Sequence, residues 1–118
     1  MSIGLVCSFT FFYLFMQPLS LYQLNALVRD AVEQSFPATL WVVGELSEAR
    51  QAGNGHFYGE IIEKDTDGRN VLARARIHCW ARQYNILRLR FMQESGQELR
   101  AGLRVLLQVQ LTFHEAYG

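Results

Sequence analysis

Apolar positions along this chain switch between a helical period and a strand-like alternation, and each switch predicts an element boundary. Leu24, Leu27, Val28 and Ala31 follow helical spacing over residues 20–34. Ser20 and Gln23 supply an S-x-x-Q capping box at its start, and Phe36-Pro37 ends it. "TLWVVGELSEA" (39–49) then reads as a strand, with Gly44 in the place of a bulge or sharp bend. "HFYGEIIEK" (56–64) is a second strand, "DTDGRN" (65–70) a hairpin turn, and "VLARARIHCW" (71–80) a third strand. The period changes back over residues 82–93, where Tyr84, Leu87 and Phe91 share a helical face that Ser95-Gly96 stops. "LRVLLQVQLTF" (103–113) alternates again: its odd positions, Leu103 to Phe113, are all apolar.

Helix, three strands, helix, strand is a mainly β order with two helices. It follows the plan of the OB-fold, a five-stranded Greek-key barrel, here with an N-terminal helix. Four strands are legible, so the fifth strand is expected to be missing and the chain to be a fragment cut inside the domain. The OB domain is expected over residues 17–118. Residues 1–16 are a separate matter. "IGLVCSFTFFYLFM" runs fourteen residues without a charge, too short to span a bilayer as a helix. No Lys or Arg precedes it and no A-x-A site follows, so a signal peptide is disfavoured. It reads as an upstream apolar extension outside the native domain.

Composition narrows the picture. At 118 residues with half of them apolar, the chain is one foldable domain. Its formal net charge of zero argues against a strongly basic DNA-binding tail. The eleven cations are ten arginines and Lys64. Arginine's planar fork fits phosphate and stacks on rings, which lysine does poorly; a GC-rich genome gives the same bias. Cys7 and Cys79 show no C-x-x-C spacing, which fits a reducing cytoplasm.

Strand parity separates a core from a surface. Val71, Ala73, Ala75, Ile77 and Cys79 form one apolar face of the third strand; Leu72, Arg74, Arg76, His78 and Trp80 form the other. In the second strand Phe57, Gly59 and Ile61 belong to the core set, leaving His56, Tyr58 and Glu60 outward. Rings beside arginines on an outer sheet face suit single-stranded nucleic acid, whose bases stack while phosphates meet guanidinium groups. The candidate binding residues are therefore Tyr58, Arg74, Arg76, His78, Trp80, His56 and Arg82. Against this, the rings fit equally under a loop or a partner, Trp80 stands where strand meets helix, and Glu45 and Glu60 oppose a phosphate track through the middle.

Three motifs carry a family resemblance. Trp41, Val42, Gly44, Glu45, Leu46 and Ser47 fit W-(I/V)-x-G-E-(I/L)-S; Gly55, His56, Phe57 and Tyr58 fit G-H-x-Y; and an alternating strand runs into H-E-A-Y-G, His114 to Gly118. With Ser20, Leu24 and Asn25 in the helix start, residues 17–118 resemble the N-terminal domain of the exodeoxyribonuclease VII large subunit. The resemblance implies an OB-fold that binds single-stranded DNA and positions it for exonucleolytic cleavage. It implies a parent hydrolase that needs no divalent metal and works with copies of a small helical subunit. The family's catalytic domain follows the OB domain, so no catalytic residue is expected here. The chain departs from the family pattern at Gly59, where a second aromatic is usual, at Ile62-Glu63, where Lys-Asp is common, and at Ala81, where an arginine is favoured.

Other chemistry finds little support. His56, His78 and His114 come from three separate strands without H-x-E, H-E-x-x-H or C-x-x-C spacing, so no catalytic site, metal or cofactor is expected. Asp65, Asp67 and Asn70 resemble a calcium loop but lack the closing glutamate, and Asp-Gly is a hairpin signal. Two rival functions stay open: an OB-type protein-interaction or oligomerisation module, and an RNA-binding domain of the anticodon-reading kind. With a strand missing, unpaired edges predict a homo-oligomer or segment swap, and no membrane partner is expected.

Overall fold

The structure, a computed structural model, describes residues 17–117; the expected apolar extension over residues 1–16 lies outside them. The elements are α1 (Leu21–Ser35), β1 (Leu40–Gln51), β2 (Phe57–Lys64), β3 (Val71–Cys79), α2 (Ala81–Ser95) and β4 (Arg104–Val109). They pack as two units, one holding α1 with residues from 108 onward, the other holding residues 41–107.

In the first unit the capping box forms as its sequence dictates. The Gln23 N–H donates to Ser20 Oγ at 3.1 Å, and the Ser20 N–H donates to Gln23 Oε1 at 2.9 Å. Phe36 turns extended ahead of Pro37 and closes α1. Val32 is the buried residue of the helix. Its polar side is tied to Glu115: Asn25 Nδ2 donates to the Glu115 carbonyl at 3.0 Å, and Arg29 Nη1 pairs with Oε2 at 3.1 Å.

In the second unit the sheet order is β3-β2-β1-β4, an open sheet whose edges among the described residues are β3 and β4. Leu46 is its most buried side chain, at 1% exposure, with Phe57, Ile62, Tyr84 and Val105 also buried. Burying a side chain of this size contributes about 1.5–3 kcal/mol. Helix α2 packs through Tyr84, whose ring stacks on Phe57 at 4.8 Å and 15°. The α2 stop falls as read: Gly96 takes the left-handed conformation at φ 71°, and its N–H bonds the Met92 carbonyl at 2.8 Å.

Four expectations are corrected. The bulge in β1 is at Ser47, not Gly44: pairing with β2 steps from Leu46↔Ile61 to Glu48↔Glu60. Gly44 instead allows a close approach, since a Cβ there would lie 3.2 Å from the Ile62 carbonyl oxygen. A second extra residue, Leu72, lies between Lys64↔Val71 and Glu63↔Ala73, so strict parity fails at that end of the hairpin and Val71 shares a face with Lys64. Val71 and Ala73 are exposed because α2 covers the opposite end of the hairpin, where Phe57 faces Cys79. Ile62 is buried although its parity places it outward. Finally, the paired part of β4 ends at Val109, while the alternation of half-buried odd and exposed even positions continues to Phe113.

Candidate nucleic-acid interface

The two bulges and the register decide which side chains share the outer face. Cross-strand partners point the same way. Arg50 pairs with Tyr58, and Tyr58 with His78, giving one row across three strands. Glu48, Glu60 and Arg76 form the next row, and Glu45, Ile62 and Arg74 the one after. Without the extra residue at Ser47, Glu45 and Glu48 would point to opposite faces.

The ring row continues past the end of β3. Trp80 is the N-cap of α2 and is 57% exposed, which places its indole on the surface rather than in the core. Two histidines hold it edge-on, His56 at 4.9 Å and His78 at 5.2 Å between ring centroids. Tyr58, 38% exposed, lies under the Arg50 guanidinium at 5.4 Å. That flat cation rests where a stacked base would rest.

His56 carries a role that its outward parity did not foretell. Its Nδ1 accepts the Ala81 N–H at 2.9 Å, so it caps the first turn of α2, where Trp80 supplies no side-chain cap. The bond requires the tautomer with its proton on Nε2. Asn54 holds the loop below it, its Oδ1 accepting the His56 N–H at 3.0 Å. Sequence reasoning placed His56 among the binding rings; here it is half-buried and fixes the indole next to it.

The charges on the face are mixed. Glu60 Oε1 accepts the Ser47 hydroxyl at 2.7 Å and the Arg74 guanidinium at 3.2 Å. Lys64 pairs with Glu45 at 3.2 Å. Arg74 is thus engaged, whereas Arg76 is exposed with no ion pair among the described residues, and Arg82 is exposed in the first turn of α2. The structure brings Tyr58, Arg76, His78 and Trp80 together with Arg50, which sequence reasoning missed because its face depends on the Ser47 bulge. Glu48, Arg50, Tyr58, Glu60 and Arg76 line a shallow groove here.

The departure at Gly59 has a steric cause. A Cβ there would lie 2.8 Å from the Glu48 carbonyl oxygen and 3.1 Å from the Phe57 ring. Half-buried Cys79 has its thiol pKa pushed up by desolvation, which fits packing rather than reactivity. The 65–70 segment folds as a turn whose Asp65 carboxylate accepts from Asn70 Nδ2 and from the backbone of Arg69. Among the described residues, no three His, Cys, Asp or Glu side chains converge as a metal site, and no helix is long and apolar enough to cross a membrane.

Comparison with known proteins agrees with this geometry. Residues 19–118 match the profile of the OB-fold nucleic acid binding domain. The chain is 41% identical over 96 residues to the Exodeoxyribonuclease 7 large subunit of Xanthomonas oryzae pv. oryzae, covering 81% of this chain and 18% of that protein. It is 40% identical to the protein of the same name from Xanthomonas euvesicatoria pv. vesicatoria and 38% identical to that from Xanthomonas campestris pv. campestris, with the same coverage. The chain therefore spans about a fifth of the length of the curated relatives it matches. With a matching profile over nearly all the described residues and the open four-stranded sheet beneath it, the chain belongs to the OB-fold nucleic-acid-binding domain family and is similar to exodeoxyribonuclease 7 large subunits.

Proposed function

We propose that this chain is the single-stranded DNA-binding module of an exodeoxyribonuclease VII large subunit. It holds the strand for exonucleolytic cleavage by a catalytic domain outside this sequence. Bases stack on Tyr58 and Trp80; Arg76, Arg50 and Arg82 meet phosphates; His78 and His56 support the indole; Arg74 joins once it leaves Glu60. The native domain is residues 17–118, with 1–16 an extension, and it works in the cytoplasm beside the family's small subunit, which binds regions beyond this chain. The observation that carries the reading is the exposed row Arg50–Tyr58–His78 ending at Trp80, on one face of three adjacent strands. Aromatic platforms flanked by cations bind single strands because every base has a stacking face, while a duplex hides those faces.

The test is a fluorescence-anisotropy titration with labelled oligo-dT at two salt concentrations, with duplex DNA and oligo-U as controls. The reading expects single-strand binding that falls steeply with salt and exceeds duplex binding. Preference for oligo-U would move the RNA-reading alternative ahead. No nucleic-acid binding would favour a protein-docking face.

A further inference from the structure

Across the middle of the outer face, Glu48, Glu60 and Arg76 stand in register on three neighbouring strands. Like charges directly opposite each other destabilise a sheet, so the Glu48–Glu60 pair works against folding. Only Glu60 is compensated. Ser47 and Arg74 both bond to its Oε1, and Oε2 takes no hydrogen bond among the described residues. Arg76 and Glu48 have no ion pair among the described residues. This row repels a phosphate at its acidic end.

A carboxylate only accepts hydrogen bonds, so the group that suits this row donates. Tyr58 precedes Glu60 by two residues on the same face of β2, about 7 Å away, within the reach of a purine. The groove that contains Glu48, Glu60 and Arg76 also contains this ring, and the Arg50 guanidinium over it marks a slot for a flat group. The ligand thus needs a flat face, an edge with donors and an adjoining edge with acceptors. Guanine has all three: N1–H and N2–H donate side by side, and O6 and N7 form the acceptor pair that an arginine fork fits. Thymine presents one N–H between two carbonyls that carboxylates repel.

We propose that this groove reads a guanine base, stacked on Tyr58, with its N1–H and N2–H donors on the Glu60 carboxylate and its O6/N7 edge on Arg76. Glu60 is then a specificity-determining residue within an otherwise sequence-tolerant face, and the Glu48 charge opposite it repels bases whose carbonyls point the same way. The inference rests on the single-strand reading above.

The experiment varies one nucleotide. Labelled oligo-dT is compared with oligomers whose central residue is deoxyguanosine or deoxyinosine, the latter lacking only the N2 amine, with anisotropy read against the whole chain. The guanine oligomer is expected to bind about 10–100-fold tighter than the inosine oligomer, the worth of one hydrogen bond to a charged group. It is expected to bind at least about 5-fold tighter than oligo-dT. Glu60→Gln should erase the guanine–inosine difference, with circular dichroism confirming its fold. If that variant does not fold, the guanine–inosine ratio on the unaltered protein decides. Equal, measurable binding of all three oligomers overturns the inference and leaves the single-strand reading standing. Absence of binding to any of them overturns both.

Discussion

Replacing His56 by alanine probes the joint between β2 and α2. The change removes the acceptor for the Ala81 N–H, now 2.9 Å from Nδ1, and the edge contact with Trp80 at 4.9 Å. Loss of a helix N-cap costs about 0.5–2 kcal/mol. Loss of an edge-to-face ring pair costs about 0.5–1.5 kcal/mol. Together the variant should lose about 1–3 kcal/mol, since α2 has neither an acidic side chain in its first turn nor a side-chain cap from Trp80 to compensate. With a urea slope of about 1.5 kcal/mol/M for a small domain, the unfolding midpoint should fall by about 0.7–2 M. The assay is urea unfolding followed by far-ultraviolet circular dichroism, with amide hydrogen exchange at Ala81 as the local reporter. The affinity for single strands should fall too, because Trp80 loses its support. A midpoint within about 0.2 M of the unaltered protein, together with unchanged protection at Ala81, would refute the capping role.

Further predictions concern separate parts of the molecule. Gly59→Ala should destabilise by about 1–3 kcal/mol in a thermal melt, because its Cβ meets the Glu48 carbonyl and the Phe57 ring with little room to yield. Tyr58→Ala and Trp80→Ala should each cost about 1–3 kcal/mol of single-strand affinity in anisotropy titrations; the Trp80 variant should stay folded, because the indole is exposed, but melt at a lower temperature, because the edge contacts with His56 and His78 go with it. Arg76→Ala should weaken binding and reduce the salt slope by about one. Glu115 has its carboxyl held below the usual range, first by its own backbone N–H and next by Arg29. Its folded pKa is the lower one, so its contribution is present above the ordinary carboxylate range and is lost as pH falls through the depressed value. A pH titration of the Arg29 side-chain resonances should show release on the acid side, and Glu115→Gln should shrink that transition while the Arg29–Asp30 pair at 3.0 Å remains.

What was legible in the sequence depended on how local its cause was. The Ser20–Gln23 box and the Phe36-Pro37 stop are set by neighbours within one turn of chain, and both formed where they were read. The β3 alternation from Ala75 to Trp80 held because one side packs under α2 and the other meets solvent. Register is not local. The bulge fell at Ser47 because its hydroxyl reaches the Glu60 carboxylate on β2, a partner thirteen residues away. A glycine at position 44 looked the better candidate, but what it permits is the close passage of the Ile62 carbonyl. That one misplacement hid Arg50, which reaches the Tyr58 ring only in the shifted register. His56 was placed on the correct face with an incomplete role, because its acceptor bond joins residues 25 apart. The early end of paired β4 has the same origin: alternation records a half-buried segment, and pairing needs a neighbour strand.

The central claim is that the Arg50–Tyr58–His78–Trp80 face binds single-stranded nucleic acid. The most direct test is a nitrogen–proton correlation titration of the isotope-labelled chain with a short single-stranded DNA. The account predicts shifts concentrated at Arg50, Tyr58, Arg76, His78 and the Trp80 indole, with α1 unmoved. Shifts gathered on α1, or a spectrum unchanged at saturating DNA, would contradict it.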